Sequence, residues 1–120
     1  MLMCLTAMLH QTTILVTGAA GALGRAVFAS LQREGSRVRG LDRLCCPWSD
    51  QMDWVIGPLQ SVRDCQRALQ VVGILIHLAA VPDDAPFESD LMPSNILGLH
   101  HLLEAAKESG VQRILMSSTG

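Results

Sequence analysis

The 120-residue chain contains no tyrosine and a single lysine, Lys107. Proton transfer through a phenol, sharpened or not by a neighbouring lysine, is therefore not available within these residues. Charge is sparse as well: Asp, Glu, Lys and Arg make up 17% of the chain and the formal net charge is −2. No basic field exists to hold nucleic acid by counterion release, so nucleic acid is not an expected partner. No apolar run reaches the roughly 18 to 20 residues that a membrane-spanning helix requires, and no membrane partner is expected. The four cysteines, Cys4, Cys45, Cys46 and Cys65, show no C-x-x-C spacing, and the adjacent pair cannot share one zinc tetrahedron. Reduced thiols in a cytoplasmic protein without a metal site are the expectation. His100 and His101 point away from each other on a helix and make poor joint ligands.

What is present has a clear order. Residues 1–11, "MLMCLTAMLHQ", lack a positive n-region and a cleavage site and are expected to form a disordered leader, with Met8 a candidate start. Residues 12–120 are expected to form one domain. Five short runs read as strands, Thr13 to Thr17, Arg37 to Leu41, Asp53 to Ile56, Ile74 to Leu78 and Arg113 to Ser117. "TILVT" and "ILIHL" are nearly continuous apolar segments, as expected for parallel strands covered on both faces. A first helix is predicted over Ala22 to Arg33, with Leu23, Ala26, Val27, Ser30 and Leu31 near helical spacing and Gly35 ending it. Ser61 is a candidate N-cap for a short helix. A last helix carries Ile96, Leu99, Leu103 and Ala106 at steps of three and four and stops at Gly110. Alternating strands and helices with right-handed crossovers predict an α/β, Rossmann-like doubly wound parallel sheet of about five strands in the order 3-2-1-4-5.

The chemistry sits in "VTGAAGALGR". Thr17, Gly18, Gly21 and Gly24 give T-G-x-x-G-x-x-G between a predicted strand and a predicted helix. Gly18 permits the tight turn, Gly21 lets a ligand approach the backbone, and Gly24 lets the helix lie close on the sheet. The amides that open the helix, at Ala22 and Leu23, and the helix dipole form an anion site suited to a pyrophosphate. Asp42 follows Gly24 by eighteen residues, at the end of the second strand, where a carboxylate accepts hydrogen bonds from ribose hydroxyls and repels a 2′-phosphate. The expected cofactor is NAD, with NADP less favoured; guanidinium groups at Arg39 and Arg43 pull the other way. His77, inside an apolar strand, reads as a packed histidine rather than a catalytic base.

From Thr12 to Thr119 these residues resemble the extended short-chain dehydrogenase/reductase family, also called NAD-dependent epimerase/dehydratase. Besides the glycine motif and Asp42, the resemblance rests on "HLAA" (His77 to Ala80) and on "NILGLHHLLEAAKESGVQRILMSS", with its N-x-x-G at Asn95 and Gly98. The loop "HLAAVPDDAPFES" with that helix looks most like the uronate dehydrogenase branch. The resemblance implies that Leu78, Ala79 and Ala80 face the cofactor, that Leu59 lies at the adenine, and that Asn95 stands near the cofactor or braces the helix. Pro58 occupies the place of the family's usual adenine-binding aspartate. It also implies a sugar acid or nucleotide sugar as substrate, and catalysis by a Ser/Thr together with a tyrosine and a lysine four residues on. Ser118 or Thr119 matches the Ser/Thr position. The tyrosine and its lysine have no counterpart, so the chain is expected to be a cofactor-binding part, truncated after strand 5, that lacks the substrate-binding part and is inactive alone. A non-catalytic dinucleotide-sensing or interaction module is the competing expectation, and a remnant that does not fold stably is a third. An exposed apolar edge on the fifth strand would favour association into a homo-oligomer.

Overall fold

The computed structural model describes residues 12–44, 52–79 and 96–117. The expected leader, residues 1–11, lies outside them. Five strands, β1 (Thr13–Thr17), β2 (Arg37–Asp42), β3 (Asp53–Ile56), β4 (Val72–His77) and β5 (Arg113–Met116), form one parallel sheet in the order β3-β2-β1-β4-β5. The expected strand order is thus the observed one, and β1 and β3 have the expected bounds. β4 begins two residues early and ends at His77, because Val72 already pairs with Thr13 across an irregularity in register. Among the described residues three helices accompany the sheet: α1 (Ala22–Arg33), α2 (Val62–Ala68) and α3 (Gly98–Ser109).

The two faces of the sheet are packed unequally. Parallel register places Leu15, Leu41, Val55 and Leu75 on one face, where they meet Cys65 and Ala68 of α2 and Leu102, Ala105 and Ala106 of α3. On the other face Val16 packs under Phe28 of α1, with Val38, Trp54 and Ile76 partly covered beside them. β1, central to the sheet, is buried throughout. β4 departs from the expectation of two covered faces: Ile74 and Ile76 stay half-buried, since α1 packs mainly on β1 and β2. β5 is exposed along its length, with Ile114, Leu115 and Met116 open to solvent.

The stripes read from spacing hold in part: Val27 and Leu31 of α1 pack against the cluster around Val16 and Phe28, and Ala106 of α3 is buried, but other positions are turned outward. In α1 the buried residues are Gly24 and Phe28, while Leu23 and Ala26 are exposed. Contact between Gly24 and the Gly18 turn sets this rotation, because a Cβ at Gly24 would stand 2.0 Å from the Gly18 carbonyl oxygen. In α3 the buried residues are Gly98, Leu102, Ala105 and Ala106, whereas Leu103, and Ile96 ahead of the helix, are exposed. Small residues on this face let α3 settle onto the sheet beside α2. The helix ends agree with the sequence: Gly35 and Gly110 adopt positive φ, and the Ser61 side chain accepts a hydrogen bond from the Asp64 amide.

Candidate functional site

The switch in strand order falls between β1 and β4, and ligands of open parallel sheets bind beyond the strand ends at such a point. A pocket of about 250 Å³ opens there. Gly18, Ala20 and Gly21 form one wall, Asp42, Arg43 and Leu44 a second, Pro58, Leu59 and Gln60 a third, and Leu78 and Ala79 the last.

Each wall is fixed by local chemistry. Gly18 turns the chain off β1 at φ +67°, its amide donating to the Leu41 carbonyl at 2.9 Å. Any Cβ on it would come within 2.8 Å of the Ala79 amide nitrogen, so the β1 and β4 ends meet only because this residue is glycine. Gly21 differs. Its φ of −75° suits any residue, and a Cβ would touch nothing closer than the Gly18 oxygen at 3.4 Å. The space that a side chain would fill here belongs to the pocket. α1 starts immediately after it, with no side-chain cap and no acidic residue in its first turn, so its leading amides and dipole are left for an anion.

Asp42 is held in place from two sides. One carboxylate oxygen accepts from the Ala20 amide and the other from the Leu44 amide, each at 3.0 Å. Both oxygens keep a further lone pair, which suits a carboxylate that is to receive two hydroxyls. Arg43 borders the same pocket, but Arg39 does not. Its guanidinium is tied to Asp53 at 2.9 Å and to the carbonyls of Ala68 and Gln70 at 2.8 and 2.7 Å. The expectation that Arg39 bears on the cofactor's phosphate is corrected accordingly, because it stands three residues before Asp42 along β2, away from the strand end at which the pocket opens.

Thr17 closes the fourth wall. Its hydroxyl oxygen accepts from the amides of Leu78 and Ala79 at 3.0 and 3.2 Å and lies 2.7 Å from Nδ1 of His77. His77 is buried, as read from sequence, and burial holds its pKa below the usual imidazole range. Desolvation, then the neighbouring Asp64 charge, pushes the buried Cys65 thiol up to about 11, so it is a packed side chain rather than a nucleophile.

The structure thus brings together Gly18, Gly21, Asp42, Leu59, Leu78 and Ala79 among the residues singled out from sequence. Gly24 lies beneath the pocket as a packing contact. Ala22 and Leu23 are exposed at the start of α1 and are not among the residues that line the pocket. Ala80, Asn95, Ser118 and Thr119 fall outside the described residues. The sequence reading missed the contribution of Ala20, whose role is made by its amide alone and leaves no mark in residue type. It also missed the pairing of Thr17 with His77, although the two runs "TILVT" and "ILIHL" end on these residues. Among the described residues no cluster of His, Cys, Asp and Glu could hold a metal, and no helix is long and apolar enough to cross a membrane.

Comparison with known proteins places this geometry. The chain is 30% identical to the uronate dehydrogenase of Pseudomonas syringae pv. tomato over 114 residues, covering 88% of itself and 39% of that protein. It therefore spans about two fifths of that relative's length. Among solved structures it superposes on a short-chain dehydrogenase/reductase superfamily protein from Agrobacterium tumefaciens with bound NAD at a TM-score of 0.81, with 37% identity and coverage of 90% and 33% of the two chains. A uronate dehydrogenase mutant from Agrobacterium tumefaciens complexed with NAD gives a TM-score of 0.80 at 30% identity, over 89% of this chain and 40% of that one. A family model matches residues 14–120, which spans every element from β1 to β5, and the chain belongs to the NAD dependent epimerase/dehydratase family.

Proposed function

We propose that this chain binds NAD in the pocket at the β1 and β4 ends and is the cofactor-holding part of an oxidoreductase, epimerase or dehydratase of sugars. The observation that carries the reading is the combination at one pocket of a glycine whose missing side chain faces the ligand, an uncapped helix start and a tethered carboxylate. The pyrophosphate would lie on the opening amides of α1 beside Gly21, and Asp42 would receive the adenosine ribose hydroxyls. When bound, the nicotinamide supplies the hydride-accepting ring. The residues present fit such a group without a metal ion. NAD is favoured over NADP because Asp42 holds its charge where a 2′-phosphate would come, while Arg39 is engaged elsewhere. Arg43 is the one guanidinium bordering that pocket among the described residues.

The substrate class we infer is a sugar acid, with a nucleotide sugar next, on the strength of the uronate dehydrogenase relatives. By itself the chain is expected to produce no NADH, since it has no tyrosine to move the proton. A dinucleotide-sensing module is the second reading, favoured by that same absence. Thermal denaturation with NAD and NADP tests the proposal. NAD should raise the melting temperature more than NADP, and D42A should remove the difference. Equal stabilisation by both, unaffected by the substitution, would refute the cofactor assignment; turnover of a hexuronate by the purified chain would refute the inactivity. The exposed β5 edge is further proposed to associate with a second copy, which sedimentation at rising concentration checks.

A further inference from the structure

The Thr17 hydroxyl has one proton and two lone pairs. Two amides, those of Leu78 and Ala79, already claim the lone pairs. The proton must then go to the remaining neighbour, Nδ1 of His77 at 2.7 Å, which can accept it only if that nitrogen is bare. Counting donors therefore fixes His77 as the neutral ring with its hydrogen on Nε2. The arrangement matters for the pocket, because Leu78 and Ala79 form its fourth wall and Ala79 packs against the Gly18 turn.

We propose that Thr17 and His77 form a proton-sensitive clamp on the pocket: a neutral His77 lets Thr17 hold the Leu78 and Ala79 amides, and a protonated His77 unfastens them and weakens dinucleotide binding. This rests on the reading that the pocket holds a dinucleotide. An imidazolium would present an N–H at Nδ1 to an oxygen whose lone pairs are both taken, so one amide bond must give way. Burial disfavours the charged ring, and among the described residues no charged neighbour offsets it. Beside His77 in the sheet stand Thr17 on β1 and Met116 on β5, neither of them charged. From the other elements of that face come Cys65 on α2, a thiol; His101 on α3, half-buried; and Arg39 on β2, paired with Asp53. The carboxylate of Asp42 is engaged by the Ala20 and Leu44 amides. His77 is a positioning residue in this account, acting through Thr17.

The test uses the 120-residue chain, with NAD as probe. Nitrogen-15 resonances of the His77 ring report which nitrogen bears the hydrogen, and calorimetric titration between pH 5 and 8 reports affinity. At neutral pH, Nδ1 should resonate as an unprotonated acceptor. NAD affinity should fall about tenfold on acidification, roughly one hydrogen bond's net worth, with the midpoint of the His77 titration. H77N, whose amide oxygen replaces the bare Nδ1, should flatten the pH profile. T17V should bind weakly at every pH, and T17S should restore both affinity and slope. A proton on Nδ1 at neutral pH, or an affinity unchanged across the His77 titration, overturns the clamp even if T17V fails to fold. If NAD does not bind at any pH while the ring is the stated tautomer and the Leu78 and Ala79 amide resonances move with it, the dinucleotide reading falls and the clamp stands.

Discussion

Gly21 and Gly24 are three residues apart in one motif, yet the structure assigns them opposite kinds of necessity, and alanine at each separates the two. A Cβ at Gly24 would lie 2.0 Å from the Gly18 oxygen, 2.7 Å from its carbonyl carbon and 2.8 Å from the Ala19 Cα. All three are backbone atoms, so no side chain can swing aside, and α1 must lift from the turn by about 1 Å. Forced overpacking of this kind costs about 1–3 kcal/mol, and the upper end applies where backbone must move. Better helix propensity returns about 1 kcal/mol. The net loss of about 2 kcal/mol lowers the melting temperature of a domain this size by roughly 6–12 °C. At Gly21 the nearest atom is at 3.4 Å, an ordinary contact, and the backbone is extended. There the poorer N-cap and the lower chain entropy of alanine nearly cancel, leaving a change within about 0.5 kcal/mol. Its methyl group, however, stands where the ligand must approach, and NAD affinity should drop more than tenfold. Circular dichroism melts with and without NAD read both quantities on the same samples. A G21A variant that melts as early as G24A, or that binds NAD as the parent does, would refute this division of labour.

R39A should cost about 1–3 kcal/mol in denaturant unfolding, since the carbonyls of Ala68 and Gln70 lose a charged donor. It should leave the response to NADP unchanged, because the guanidinium does not reach the pocket. The lowered pKa of His77 links stability to pH: between its ordinary 6.5 and its folded value the unfolded chain binds more protons, so stability present above pH 6.5 is lost as pH falls toward the folded pKa. Denaturant midpoints measured from pH 8 down to 5 check the sign, and H77N should flatten the slope. Cys65, fully buried and raised to about 11, should resist thiol reagents at pH 8 until the chain is unfolded. Labelling resolved by peptide mapping distinguishes it from the other three cysteines.

The sheet was legible because its evidence is periodic and local. An apolar run bounded by glycines reads as a buried strand whatever lies beyond it, and two such runs at the centre with helices between admit few strand orders. The helix stripes were less so. In α1 the spacing supports Leu23 or Gly24 as the inward position almost equally, and the choice falls to a contact with Gly18 that no hydropathy pattern records. The same holds at Arg39: a guanidinium four residues before Arg43 reads as a phosphate ligand until its place short of the β2 end sets it beside Asp53 and the Ala68 carbonyl instead of the pocket.

What sequence could not show is that the pocket's walls are joined to one another by backbone amides rather than by the side chains that name the motif. Asp42 is legible as a ribose acceptor, but its bond to the Ala20 amide also ties the glycine loop to the β2 end, so binding and loop placement depend on one carboxylate. Thr17 does the same between β1 and the segment after β4. A residue with two such duties has fewer tolerated replacements than either duty alone would require. D42N, which keeps an acceptor for one amide but turns a donor toward the other, should therefore loosen the loop as well as weaken ribose binding. The measurable consequence is a lower melting temperature without cofactor, by roughly 3–6 °C for the loss of about 1 kcal/mol from one hydrogen bond. An Asp42 that served only the ligand would leave that temperature unmoved.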